Sequence, residues 1–246
     1  MEVIQQLRSL RDSKKKAIAV LIDPDKIKDE MHLIDTCRFM KEAEVDFVFV
    51  GGSLLMKQET TAIVKVLKSL MKVPIILFPG SPSQVCQEAD ALLFLSVISG
   101  RNPDHLIGQH VQAAPMIKKI GIETIGTGYM LIDGGVTTTA TYMSGALPIP
   151  HHKAEIAAAT AMAGEMLGLQ AFYMDAGSGA QIPISQEMIQ AVSQSADQPL
   201  IVGGGIRSIQ GIQDAHDAGA DIVVIGTALE RDPNFFKSLS VLKSKV

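Results

Sequence analysis

The chain has 246 residues, 47% of them apolar and 20% charged, with a formal net charge of −4 at pH 7. That apolar share is ample for a packed core and argues against disorder, while the acidic balance lacks the basic field of a nucleic-acid binder. Its two cysteines, Cys37 and Cys86, stand apart in no metal-ligand spacing, which fits a reducing, cytoplasmic setting.

The N-terminal stretch "MEVIQQLRSLRDSKKK" has no continuous apolar segment behind positive charge, so it does not read as a signal peptide. Lys14 to Lys16 read as a solvated edge. From there, eight short β-rich runs recur, at 17–23, 45–52, 74–80, 91–97, 125–133, 170–177, 199–205 and 221–227. Most lack polar alternation, the pattern of parallel strands covered on both faces. Even the longest apolar run is too short to span a bilayer, so no integral membrane segment is expected. Helical patterns intervene at 30–42, 54–71, 103–118, 153–168, 185–195, 208–218 and 232–243. Alternating units without a composition break predict a single (β/α)8 TIM barrel domain over residues 1–246. A doubly wound open sheet is the alternative fold.

Two stretches break the period. Only "SPSQVCQEAD" (81–90) separates the third and fourth strands, too little for a full crossover helix. The third helix is therefore expected to be shortened or missing. Either this is merely a short crossover, or it opens the helix layer into a groove where a long apolar substrate could lie. After the fifth strand, 134–152 is long and rich in Gly, Thr and Pro, the composition of a structureless lid over an active site.

In such barrels the active site lies at the carboxyl ends of the strands. The seventh and eighth strands end in "GGGIRS" and "GTALE", and loops there commonly present backbone N–H groups to a phosphate. Gly204, Gly205, Gly226 and Thr227 are the expected phosphate ligands; the competing reading is that the glycines only make tight turns. The sixth strand ends in "YMDAGSGA", which puts Asp175 at the strand tip for acid–base or hydroxyl-orienting work, or for helix capping. The first ends in "LIDPDK" and the second in "VGGS". Asp23 and Ser53, with phosphate oxygens and water, make a donor set suited to Mg²⁺, a hard ion that borrows ligands from its substrate. Asp25 is expected to be a solvent-facing turn or cap residue. His151, His152 and His110 read as loop and packing residues, and no dinucleotide fingerprint is present.

"LIDPDK", "VGGS", "FPGSPSQV", "SGRNPDHLIGQHV", "GTGYMLIDGG", "YMDAGSGA", "VGGGIRS" and "IGTALE" run in the order found in geranylgeranylglyceryl phosphate synthases, whose relatives include a bacterial heptaprenyl branch. The resemblance spans residues 17 to about 230. It implies a prenyltransferase that forms an ether between the C3 hydroxyl of sn-glycerol 1-phosphate and geranylgeranyl diphosphate, releasing diphosphate. It implies Mg²⁺ on Asp23 and Ser53. Glycerol phosphate would sit on Tyr173, Met174, Asp175, Ala176, Gly177, Ser178 and Gly179, and on Gly204, Gly205, Gly226 and Thr227. Relatives assemble as dimers or hexamers, so a homo-oligomer is expected. Leu21 stands where some relatives carry a lysine, which leaves Arg207 as a source of phosphate-side charge. Asp175 stands where others have Glu. The tail would run past Phe78, Val85 and Leu95 through the third-helix gap. A heptaprenyl donor, a phosphosugar isomerase and a non-catalytic phosphate sensor are the alternative functions.

Overall fold

In a computed structural model, described here over residues 2–227 with 235, 236 and 239, eight parallel strands close into a barrel in sequence order. They are β1 (Ala17–Ile22), β2 (Phe47–Val50), β3 (Ile75–Leu77), β4 (Ala91–Val97), β5 (Glu123–Leu131), β6 (Ala171–Asp175), β7 (Leu200–Gly203) and β8 (Ile222–Ile225). Pairing of β1 with β8, Ala17 opposite Ile222, seals the cylinder. Around it lie α1 (Val3–Ser13), α2 (Glu30–Glu42), α3 (Thr60–Leu70), α4 (Gln109–Ile120), α5 (Thr139–Ser144), α6 (Ala154–Met166), α7 (Gln186–Ser195) and α8 (Ile209–Asp217). No helix among the described residues is long and apolar enough to cross a membrane. The helix expected at 232–243 lies mostly outside the described residues.

Successive side chains of a strand face opposite sides, and two buried clusters follow from that. One fills the barrel with Ala19, Phe49, Ile76, Leu93, Ile125, Tyr173, Ile201 and Val224. The other packs Val20, Val48, Leu92, Met174, Val202 and Val223 against the helix layer. Because the strands are covered on both faces, the apolar runs carry no polar alternation.

The N-terminal helix was not among the expected elements, although Val3, Ile4 and Leu7 have helical spacing. All three are buried in the barrel-filling cluster, so α1 plugs the amino end of the cylinder. Glu123, the first residue of β5, accepts from the amides of Val3 and Ile4 at 2.7 Å each. A carboxylate there answers orphan donors at the positive helix end. Arg11 anchors the other end, donating to the carbonyls of Ser193 and Ala196.

Between β3 and β4 the outer layer holds only a 3₁₀ turn, Pro82–Gln84, as the short spacing anticipates. The loop after β5 differs from expectation. It is not structureless: Thr138 accepts from the Thr141 amide and starts α5, and Gly145 ends it in the left-handed region.

His216, near the end of α8, places Nε2 3.2 Å from the Ala17 carbonyl, and burial pushes its pKa down to about 4. The unfolded chain titrates near the ordinary 6.5, so it takes up the proton first. The stabilisation is complete above that value and is lost as pH falls from there toward 4. Discounting for partial exposure, urea unfolding should report roughly 1–2 kcal/mol less stability at pH 5 than at pH 7 from this residue. His216→Gln should remove most of that difference.

Candidate active site

The carboxyl ends of the strands surround a polar cavity of about 1350 Å³, counting its open mouth. Strand alternation decides which expected residues reach it. Tyr173 and Asp175 of β6 face inward and line it. Met174 and Ala176 point the other way, into the helix-facing cluster, so neither side chain can touch a ligand there. The Ala176 amide is also occupied, donating to the Gly203 carbonyl at 3.1 Å.

The glycines of β7 answer first to the chain itself. A Cβ on Gly203 would lie 2.6 Å from the Tyr173 hydroxyl. One on Gly204, where φ is +83°, would lie 2.7 Å from Asp175 Oδ1 and 2.5 Å from the Gly177 nitrogen. One on Gly205, φ +73°, would press on Pro183. Close approach within the chain is by itself enough to require glycine at these positions. The phosphate expectation rests on backbone and hydroxyl donors in the loops after β6, β7 and β8. Ser178, Gly179, Gly204, Gly205, Gly226 and Thr227 all line the cavity. The amides of Ser178, Gly179 and Gly205 have no backbone acceptor among the described residues, whereas the Gly177 amide is held by Asp175. Ser178 and Thr227 hydroxyls meet at 3.1 Å, joining the loops after β6 and β8.

Asp175 is buried and lines the cavity. Its Oδ1 accepts from the Gly177 amide at 2.6 Å and its Oδ2 from the Tyr129 hydroxyl at 2.5 Å. Burial raises its pKa above the ordinary carboxylate value, and these two hydrogen bonds oppose that rise. Tyr129, on β5, was not anticipated. Its signal was parity: it is an inward position of the strand, in register with Tyr173. Burial, together with the Asp175 charge, raises its pKa well above the usual value, so it remains a donor. Tyr173 stacks on Phe78 with centroids 4.9 Å apart, and Tyr129 meets both rings edge-on at 5.6 and 5.7 Å.

Asp23 and Ser53 line the same cavity. Asp23 starts a 3₁₀ turn, Pro24–Lys26, by accepting from the Asp25 amide. Burial raises the Asp23 pKa; the hydrogen bond from the Asp25 amide opposes the rise, the Asp25 charge adds to it and Lys26 opposes it. Asp25 is not merely a turn residue facing solvent: its carboxylate accepts from the amides of Met56 and Lys57 at 2.7 and 3.0 Å and ties the β1 turn to the loop after β2. Gln84 braces that loop from the other side, donating to the Gly52 carbonyl at 2.9 Å and accepting from the Gly80 amide at 3.1 Å. Among the described residues no group of three His, Cys, Asp or Glu could hold a metal. A half-buried carboxylate and a hydroxyl lining one cavity still fit Mg²⁺, which completes its shell with water and substrate oxygens. Leu21 lines the cavity as an apolar wall, and the cations there are Lys26 and Arg207. Arg207 donates to the Ala180 carbonyl at 2.6 Å, which fixes its guanidinium at the rim.

Beside this cavity an apolar groove of about 800 Å³, counting its open side, runs through the gap left by the third helix. Phe78, Val85 and Leu95 line it as expected, together with Leu92, Phe94, Ala113 and Ile117. Cavity and groove share Gly52, Ser53, Phe78 and Ala140, so the polar and greasy halves meet at one wall. Ala140 belongs to α5, which places the ordered loop over that junction.

Residues 11–243 match the PcrB family. The chain is 51% identical over 225 residues, 92% of its length and 89% of the relative's, to a geranylgeranylglyceryl phosphate synthase of Chitinophaga pinensis. It is 48% identical to the like-named protein of Spirosoma linguale, over 96% of this chain and 94% of that one. The crystal structure of (S)-3-O-geranylgeranylglyceryl phosphate synthase from Thermoplasma acidophilum, in complex with sn-glycerol-1-phosphate, superposes with a TM-score of 0.88 at 30% identity. That match covers 98% of this chain and 96% of that one.

Paired substitutions separate close approach from backbone strain at the glycines. Gly121 has φ +70° and open space around its missing Cβ. Gly121→Ala should therefore cost only the left-handed strain, about 1–2 kcal/mol. Gly204→Ala adds overlap with Asp175 and the Gly177 backbone and should cost about 3 kcal/mol or more in denaturant unfolding. Equal losses at the two positions would contradict the close approach.

Proposed function

The chain belongs to the PcrB family, and from that premise we infer that it is a prenyltransferase. It joins the C3 hydroxyl of sn-glycerol 1-phosphate to C1 of geranylgeranyl diphosphate through an ether bond and releases diphosphate. The observation that carries this reading is the shared wall: a cavity with anion donors and a buried carboxylate opens directly onto an apolar groove. A water-soluble phosphate ester and a long hydrocarbon need those two environments within bonding distance of each other.

The glycerol phosphate anion suits the amides of Ser178, Gly179 and Gly205, with Lys26 and Arg207 adding positive charge at the rim. Its C3 hydroxyl then lies toward Asp175. As the new C–O bond forms and the allylic C–O bond to diphosphate breaks, the hydroxyl proton passes to the Asp175 carboxylate. Tyr129 and the Gly177 amide hold that carboxylate in one orientation. Positive charge growing on the allylic carbon is favoured over an aromatic face, and Phe78, Tyr129 and Tyr173 supply rings where the groove and the cavity adjoin. Asp23 and Ser53 are the residues that would hold Mg²⁺, which when bound supplies Lewis-acid stabilisation of the departing diphosphate. Burying the tail along the groove, at about 0.8 kcal/mol per CH₂, positions C1 and keeps water from the allylic centre.

Incubation with labelled sn-glycerol 1-phosphate, Mg²⁺ and prenyl diphosphates of several lengths should yield a labelled ether. Absence of product from every donor would sink the reading. Asp175→Asn should keep glycerol phosphate binding while lowering kcat by roughly 10²–10⁴. Because burial raises the Asp175 pKa, kcat should fall on the acidic side with an apparent pKa above that of an ordinary aspartate. Tyr129→Phe removes a hydrogen bond that lowers this pKa, so it should move that acidic limb to higher pH.

A further inference from the structure

The groove contains one polar group that its surroundings leave unanswered. His110, on α4, is 8% exposed and lines the groove, and its Nδ1 and Nε2 are both buried with no hydrogen-bond partner among the described residues. Its ring stands edge-on to Phe94, with centroids 4.4 Å apart and planes at 85°. Burial lowers its pKa and His105 adds to that, while the Leu95 backbone pulls the other way without meeting the geometry of a hydrogen bond to either nitrogen. The imidazole is therefore neutral, with one N–H donor and one bare nitrogen.

The groove's other polar side chains are differently placed. Ser53, Ser81, His105 and Gln109 also line a polar recess next to the groove. Ser144 is engaged with the Thr141 carbonyl and the Ala146 amide. His110 alone of these is both buried and unpaired, on the stretch built from Leu92, Phe94, Ala113 and Ile117. A leucine would fill the same space without leaving a donor unsatisfied, so a bare imidazole here points to a ligand that answers it.

We propose that His110 reads the unsaturation of the prenyl tail, its N–H directed at the π face of an internal carbon–carbon double bond. The proposal rests on the groove holding the tail, as inferred above. An isoprenoid carries an electron-rich alkene in every five-carbon unit, a weak but real acceptor for N–H; a saturated chain offers only C–H surface. His110 is thus a specificity-determining residue that favours a polyunsaturated tail over a saturated one of equal length.

The test is competition for transfer between geranylgeranyl diphosphate and the analogue that keeps only its allylic double bond. The allylic centre is the same in both, so chemistry is matched and the tail alone differs. The wild type should favour the unsaturated donor in kcat/KM by about two- to fivefold, the scale of one weak hydrogen bond. His110→Leu should bring that ratio close to one, and His110→Gln, which retains an N–H, should preserve part of it. A wild-type ratio near one, or a ratio unaltered in His110→Leu, overturns the proposal while leaving prenyl transfer intact. No ether from either donor in the wild type would remove the prenyltransferase reading and this proposal with it.

Discussion

A parallel barrel needs its outer face covered, and here the cover is omitted between β3 and β4. The chain crosses that interval in the thirteen residues 78–90, with only a 3₁₀ turn inside. Beside that interval Leu92 and Phe94, on the outside of β4, line an open groove together with Ala113 and Ile117 of α4. Such a gap would weaken the loops beside it were they not tied together. Gln84, itself buried, bonds to both Gly52 and Gly80, and a Cβ on Gly80 would meet the Gly52 carbonyl at 2.5 Å. The opening is thus framed by rigid backbone, and a framed opening can hold a hydrocarbon without the barrel collapsing into it.

At the mouth, the same close packing of backbone sets the chemistry. Glycines after β7 let the Asp175 carboxylate lie directly against the neighbouring strand end, where one oxygen meets the Gly177 amide and the other the Tyr129 hydroxyl. Burial raises the basicity of the carboxylate, and the two donors restrain that rise while fixing its direction. An acceptor that is both directed and partly desolvated is what hydroxyl activation requires. Lys26 and Arg207 come from loops after β1 and β7 and not from a strand, so positive charge reaches the mouth without entering the core.

Much of this was legible in order of residues. Eight apolar runs, their spacing and the short interval after the third led to a barrel with a breach in its helix layer, because covered parallel strands leave a continuous apolar signature. That Asp175, Asp23 and Ser53 reach the mouth was legible because strand ends and the loops after them gather at one face of a barrel. Phe78, Val85 and Leu95 were legible as groove residues for the same topological reason. The motif order also identified the family that residues 11–243 match.

What remained hidden depends on parity and on contacts between distant segments. Met174 and Ala176 lie within a matching motif, yet a pleat turns them toward the helices, so motif membership did not decide contact. Tyr129 and Asp175 are 46 residues apart, and only the register of β5 with β6 brings them to 2.5 Å. The close approach of Gly204 to Asp175 and the Gly177 backbone was hidden, because steric exclusion is a property of neighbours in space. Sequence by itself determined the strand count, the breach and the mouth residues, since those follow from local periodicity and length. Tertiary structure alone decided which atoms face one another, since hydrogen bonds and clashes act over a few ångströms however far apart the residues stand in the chain.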